Sequence, residues 1–206
     1  MCRTPAQRQR SLHRLIWHID TPRRLRRLRG VSASRYDHGV TLRDVTLTVM
    51  CGPPGAGKSY WIAANRTTEE LLSTEMVRRM SAIGRRSSPN QLAGIKILAP
   101  DLLRQGRSVI VDACSTKIQD RRDWLTIARF ASAHTRIVIV DTDLATCLSR
   151  QAERGSSGVP EEIIRSHADR MPHAMTLIPL EGWEDIVTVS RVEGSRTVSM
   201  LNALNT

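Results

Sequence analysis

Gly52–Ser59 reads GPPGAGKS, with glycines at positions 52, 55 and 57 followed directly by a lysine and a serine. The spacing fits G-x-x-x-x-G-K-S/T, the pattern of a loop that wraps a phosphate. Glycine permits the positive φ such a wrap needs and lets backbone N–H groups approach phosphate oxygens. The helix that follows would aim its positive dipole end at the anion. On this reading Gly52, Pro53, Pro54, Gly55, Ala56, Gly57, Lys58, Ser59 and Tyr60 contact the nucleotide. Lys58 would reach the β- and γ-phosphates of ATP, and Ser59 would offer its hydroxyl to Mg²⁺. A plain tight turn also uses Gly and Pro, but it requires neither the lysine nor a strand before and a helix after.

Three further groups can do chemistry. Asp112 ends the apolar run SVIVDA, and the carboxyl ends of parallel strands line the ligand crevice of such folds. An acid there can hold Mg²⁺, directly or through water; it can also be an exposed loop carboxylate, since Asp is common in turns. Arg150 and Arg154 are spaced i, i+4, so on one helix they share a face. Two guanidiniums over a triphosphate would neutralise charge developing on the transferred group; the same pair can sit on a solvated face beside Glu153. Glu75 and Arg78 are spaced i, i+3. The carboxylate can take a proton from an attacking hydroxyl and the arginine can hold an acceptor phosphate, although E-x-x-R is also an ordinary helical ion pair.

The elements that must position these groups can be read from the hydrophobic pattern. Val45–Cys51, Ser108–Cys114, Arg136–Asp141 and Asp185–Ser190 are β-branched or apolar runs and read as buried strands, with a short strand at Leu71. Between them lie helical patterns: one after the glycine loop fading near Asn65, one from Ser73 or Thr74, Ser87–Gly106, Asp120–His134, Leu144–Gly155 and Val159–Met171. Gly94 and Pro100 should kink or divide the third of these. Pro160 should be the first residue of the last, with Glu161 and Glu162 in its first turn. Apolar strands alternating with helices predict an α/β fold with a parallel sheet covered on both faces.

Composition narrows the partners. The net charge is +11. Residues 1–44 hold eleven arginines against three acids, so most of the excess sits there. Residues 1–39 therefore read as a basic arm, either solvated or contacting nucleic acid by counterion release. Residues 40–191 read as the catalytic domain and 192–206 as a C-terminal tail. No window approaches the ~18 apolar residues of a membrane span, and the Arg-rich start lacks the apolar core of a signal peptide. Cys2, Cys51, Cys114 and Cys147 show no metal-ligand spacing. Reduced thiols and a cytoplasmic location are expected.

Four blocks occur in order: GPPGAGKS, STEMVRRM, SVIVDACSTKIQDRRDWLTIA and VDTDLATCLSRQAERGSSGVPEEIIRSHADRM. With EGWEDIVTV they resemble the P-loop kinase group that includes zeta-toxin-like kinases and the 5′-hydroxyl polynucleotide kinases of phage and bacterial repair systems. The resemblance spans about residues 45–191. It implies a three-layer P-loop NTPase of kinase type with a helical lid, ATP and Mg²⁺ as cofactors, and a 5′-OH polynucleotide end as acceptor. It implies Lys58, Arg150 and Arg154 on the transferring phosphoryl group, Ser59 and Asp112 at the metal, Glu75 as general base and Arg78 on the acceptor. The chain departs from the group at two points. Glu75 stands where the group has Asp, and Cys114-Ser115 stands where it often has Thr-Asn. Related kinases act on sugars, antibiotics, nucleotide-sugars or aminoacyl-tRNA, so a small-molecule acceptor is the alternative. A nucleic-acid-binding ATPase working through the basic arm is a third.

Overall fold

The computed structural model describes residues 45–74, 89–192 and 195–202, with side chains over 45–74 and 92–190. All of these lie within the unit Val40–Thr206. The basic arm, Glu75 and Arg78 lie outside the described residues.

The strands are β1 (Thr46–Cys51), β2 (Glu70–Ser73), β3 (Val109–Asp112), β4 (His134–Asp141), β5 (Asp185–Val192) and β6 (Ser195–Asn202). They form one sheet in the order β2-β3-β1-β4-β5-β6. β1 to β5 are mutually parallel, and β6 runs antiparallel to β5. The helices are α1 (Lys58–Asn65), α2 (Pro89–Arg104), α3 (Ile118–Ala131), α4 (Leu144–Ala152), α5 (Glu161–Ala168) and α6 (Met171–Leu177).

Side chains alternate between the two faces of a strand, and both faces of β1 are covered, so it is buried from Leu47 to Cys51, with Thr48 the one polar side chain in that run. Leu47, Val49 and Cys51 enter one core layer, with Val109, Val111 and Ile137 of the neighbouring strands. Met50 enters the other, with Ile110 and Val138. The first layer is covered by Ile95, Ala99 and Leu103 of α2, Trp124 and Ala128 of α3 and Ala174 of α6. The second is covered by Ile62 of α1, Cys147 of α4 and Ile164 of α5. This is the three-layer α/β arrangement that alternating apolar strands and helices predict.

Four local features differ from the sequence expectation. Helix α2 is not divided at Gly94 or Pro100 but spans both. Ile95, Ala99 and Leu103 are fully buried on one face, and that packing outweighs the backbone bond proline removes, a loss of roughly 3 kcal/mol. Pro160 is the cap of α5 and not its first residue, with ψ 143°. The Val159–Met171 pattern ends at Ala168, and a second helix starts at Met171 with a proline in its first turn. Finally, the segment read as a C-terminal tail pairs as β6, in register Val189↔Val198. The alternation Thr197-Val198-Ser199-Met200 is only a weak strand signal. It becomes a strand because β5 would otherwise present an open row of backbone donors and acceptors.

Candidate nucleotide and phosphoryl-transfer site

β1 lies between β3 on one side and β4 on the other. Chain connections diverge there, so the carboxyl end of β1 opens a crevice. The glycine loop follows β1 directly and fills the floor of that crevice.

The loop is held from both sides. Gly52 N–H donates to Cys114 O at 2.9 Å, which ties it to the end of β3. Gly55 has φ 86°, and a Cβ there would lie 2.6 Å from Cys147 O of α4. Only glycine fits that contact. Gly57 has φ 108° and caps α1. The first turn of α1 carries no acidic residue, so its exposed N–H groups and dipole remain available to an anion.

Lys58 is 8% exposed and folded onto the loop. Its Nζ donates to Gly52 O at 3.0 Å and Pro53 O at 2.8 Å, and it lies 3.6 Å from Cys114 Sγ. Arg150 Nη1 donates to Gly55 O at 2.9 Å and Ala56 O at 3.1 Å. The loop carbonyls thus position two cations above the floor. Arg154 does not continue the helical face: α4 ends at Ala152, and Arg154 caps the 3-10 turn Gly155–Ser157 that follows. Arg154 N–H reaches Gln151 O, a tightened turn. Both arginines still line the same cleft, of about 1060 Å³. Tyr60 is exposed at that cleft.

Ser59 Oγ donates to Asp112 Oδ2 at 2.8 Å. The donor set, one hydroxyl and one carboxylate, consists of hard oxygens and fits Mg²⁺. Among the described residues no group of three or more His, Cys, Asp or Glu could hold a metal. Such a pair would leave the remaining ligand positions to phosphate oxygens and water, as Mg²⁺ prefers.

Glu75 and Arg78 are not described, but their approach is. β2 ends at Ser73, and Ser73 and Thr74 line the cleft beside Asp112, Ala113 and Cys114.

Two arrangements escaped the sequence reading. The first is a buried ion pair behind the β3 loop. Arg121 is fully buried. Its Nε donates to Glu181 Oε2 at 2.8 Å and its Nη2 to Glu181 Oε1 at 2.6 Å. Its Nη1 donates to Ser115 O at 3.1 Å and Thr116 O at 2.9 Å. Trp183 Nε1 also donates to Glu181, at 3.1 Å. The signal was present in the spacing: Arg121 precedes Trp124 by three and Ala128 by seven, so it shares their buried face. The second is Thr116 Oγ1, 2.7 Å from His167 Nδ1 of α5. Burial and the cations Arg170, Lys58 and Lys117 hold the His167 pKa down at about 4, so it is a neutral imidazole at pH 7. Nothing in the local sequence pairs positions 116 and 167.

A glycine loop at the β1 crossover, a serine hydrogen-bonded to the acid that ends β3, and a helical lid with arginines define a P-loop phosphotransferase of kinase type. The comparisons agree. The chain belongs to the AAA_33 family, described as an AAA domain, whose model matches residues 47–178. No curated protein matches it. Among solved structures it is similar to a chain of the PezAT chromosomal toxin–antitoxin system of Streptococcus pneumoniae, at TM-score 0.60 and 12% identity over 95% of this chain and 82% of that one. It is similar to a chain of the Pnkp1/Rnl/Hen1 RNA repair complex, at TM-score 0.54 and 18% identity over 70% of this chain and 48% of that one. A chain from Chloroflexus aurantiacus J-10-fl gives TM-score 0.52 at 18% identity, over 72% of this chain and 89% of that one. At these identities the structural matches establish the shared fold. Among the described residues no helix is long and apolar enough to cross a membrane.

Proposed function

We propose that the protein transfers the γ-phosphoryl group of ATP to a hydroxyl acceptor, and that the favoured acceptor is the 5′-OH end of a polynucleotide. The observation that carries the donor half is the Ser59–Asp112 contact at 2.8 Å. It joins the first helical turn after the glycine loop to the end of β3, where a nucleotide-bound Mg²⁺ would sit. When bound, Mg²⁺ neutralises charge on the β- and γ-phosphates. Lys58 exchanges its loop carbonyls for phosphate oxygens. Arg150 and Arg154 approach from the lid and stabilise the charge that spreads over the transferring group. The acceptor oxygen forms a bond to the γ-phosphorus while the bond to the ADP oxygen breaks, and Glu75 takes the acceptor proton. Arg78 holds the acceptor.

The polynucleotide acceptor is supported by the sequence blocks shared with 5′-hydroxyl kinases, by the likeness in fold to a chain of an RNA repair complex, and by the eleven arginines of residues 1–44. Glu75 is one methylene longer than the family's Asp, which displaces the base by roughly 1 Å, a shift that matters steeply in such reactions. That substitution and Cys114-Ser115 are the ground for the second reading, a small hydroxyl compound or nucleotide-sugar as acceptor.

The test is label transfer from γ-labelled ATP to DNA 5′-OH ends, RNA 5′-OH ends and small hydroxyl compounds. Labelled small molecules with unlabelled ends would overturn the polynucleotide acceptor. Lys58→Ala and Arg154→Ala should each lower turnover by about a hundredfold or more, with the circular dichroism spectrum unchanged. Undiminished turnover in either variant refutes the donor-site assignment. Binding to nucleic acid that survives Lys58→Ala, disappears on deleting residues 1–39 and brings no transfer would identify the ATPase alternative.

A further inference from the structure

The crevice has two sides. β4 and α4 bring the arginines to one. The ends of β3 and β2 form the other, with Asp112, Cys114, Ser73 and Thr74 in its wall. With ATP phosphates on the glycine loop, an acceptor has to enter from the β3–β2 side. His167 belongs to α5, the first helix after the lid turn, yet it reaches across to that side. Its Nδ1 lies 2.7 Å from Oγ1 of Thr116, in the loop that follows β3. Thr116 is itself 3% exposed. Its carbonyl is fixed by Arg121, which is in turn fixed by Glu181. The imidazole is therefore oriented through a chain of buried contacts. It lines the cleft, and hydrogen bonding to Thr116 commits only one of its two nitrogens.

We propose that His167 is a specificity-determining contact for the acceptor, whose Nε2 hydrogen-bonds a hydroxyl or ring oxygen of a sugar moiety next to the oxygen that is phosphorylated. The inference rests on the kinase reading above and extends it to the chemical class that the β3 side recognises.

The chemistry of the surroundings favours a sugar over a phosphate at this point. The positive charges of Arg170, Lys58 and Lys117 act on the imidazole, and Asp120 partly offsets them. Adding a fourth positive charge there is unfavourable, so His167 works as an uncharged donor or acceptor. An uncharged imidazole suits a sugar oxygen, whereas a phosphate is better met by the cations already present. A site built to hydrogen-bond a sugar oxygen also discriminates against acceptors that lack it.

The test uses the full chain with saturating ATP and Mg²⁺ and the variants His167→Leu, His167→Gln and Thr116→Val, each checked for folding by circular dichroism. For the acceptor that the wild-type protein labels, His167→Leu and Thr116→Val should raise the acceptor KM by about tenfold, the loss of one hydrogen bond. His167→Gln, which keeps a hydrogen-bonding end, should recover part of this, and the KM for ATP should change by less than about twofold. In parallel, the ring signals of His167 are followed by NMR with a 5′-OH dinucleotide and with inorganic phosphate. The dinucleotide should shift them with the ring still neutral. An acceptor KM that does not move, a KM for ATP that rises equally, or a ring that stays unperturbed by the dinucleotide and is protonated by phosphate overturns the proposal while leaving the kinase reading standing. A wild-type protein that labels no acceptor defeats the kinase reading, and this proposal falls with it.

Discussion

Replacing Glu181 by alanine should cost far more stability than its place in a surface turn suggests. Arg121, 0% exposed, depends on it for its charge balance. The substitution removes the hydrogen bonds from Arg121 Nε and Nη2 and the acceptor for Trp183 Nε1. The two bonds from Arg121 Nη1 to Ser115 O and Thr116 O survive, but two neutral carbonyls do not balance a buried guanidinium. Breaking a buried pair on one side costs about 3–5 kcal/mol. For a domain of this size each kcal/mol lowers Tm by roughly 2–4 °C, so a fall of roughly 6–20 °C is expected. Urea unfolding of wild type, Glu181→Ala, Arg121→Met and the double variant separates the pair energy from packing. The double variant should be clearly more stable than Glu181→Ala, because no unpaired charge is left buried. A loss below about 1 kcal/mol in Glu181→Ala would refute the argument, as would a double variant no better than the single. The same variant tests position as well as stability. Arg121 anchors the loop that carries Cys114 to Thr116, so residual activity at low temperature should show a raised acceptor KM.

Other expectations follow from the same geometry. Burial raises the Cys51 thiol to about 12, so at pH 8 only about one part in ten thousand is thiolate. In a Cys2→Ser background, a thiol reagent on the folded protein should label Cys114, which is partly exposed, ahead of the buried Cys51 and Cys147; equal rates would contradict the packing. His167 has a folded pKa near 4, below the 6.5 of a free imidazole. Its contribution to stability is thus complete above pH 6.5 and is lost as the pH falls from there towards 4. His167→Gln should flatten the stability profile in that window, and an unchanged slope would show that the imidazole is not buried among cations. Gly55→Ala puts a Cβ 2.6 Å from Cys147 O at φ 86°. It should weaken ATP binding at least tenfold, measured by calorimetry; wild-type affinity would mean that the loop is not held against α4.

The sequence by itself determined the glycine loop and its setting between strand and helix. GPPGAGKS carries its own local reasons: glycines where φ is positive, a lysine and serine at the start of a helix, and a β-branched strand before it. Those are short-range constraints, and a chain pattern records them. It also determined the parallel sheet, because strands buried on both faces are dominated by apolar and β-branched residues, as in β1, where Leu47, Val49 and Met50 stand beside Thr46 and Thr48. Tertiary structure decided the rest. The spacing of Arg121 to Trp124 and Ala128 puts it on the buried face of α3, but only its partner sixty residues on makes it an internal anchor. His167 and Thr116 meet across 51 positions, a contact set by how α5 crosses the end of β3. β6 exists because β5 had an open edge to cover. In each case the deciding energy is a long-range pairing or a desolvated charge, which depends on what the fold brings alongside and leaves little trace in neighbouring residues.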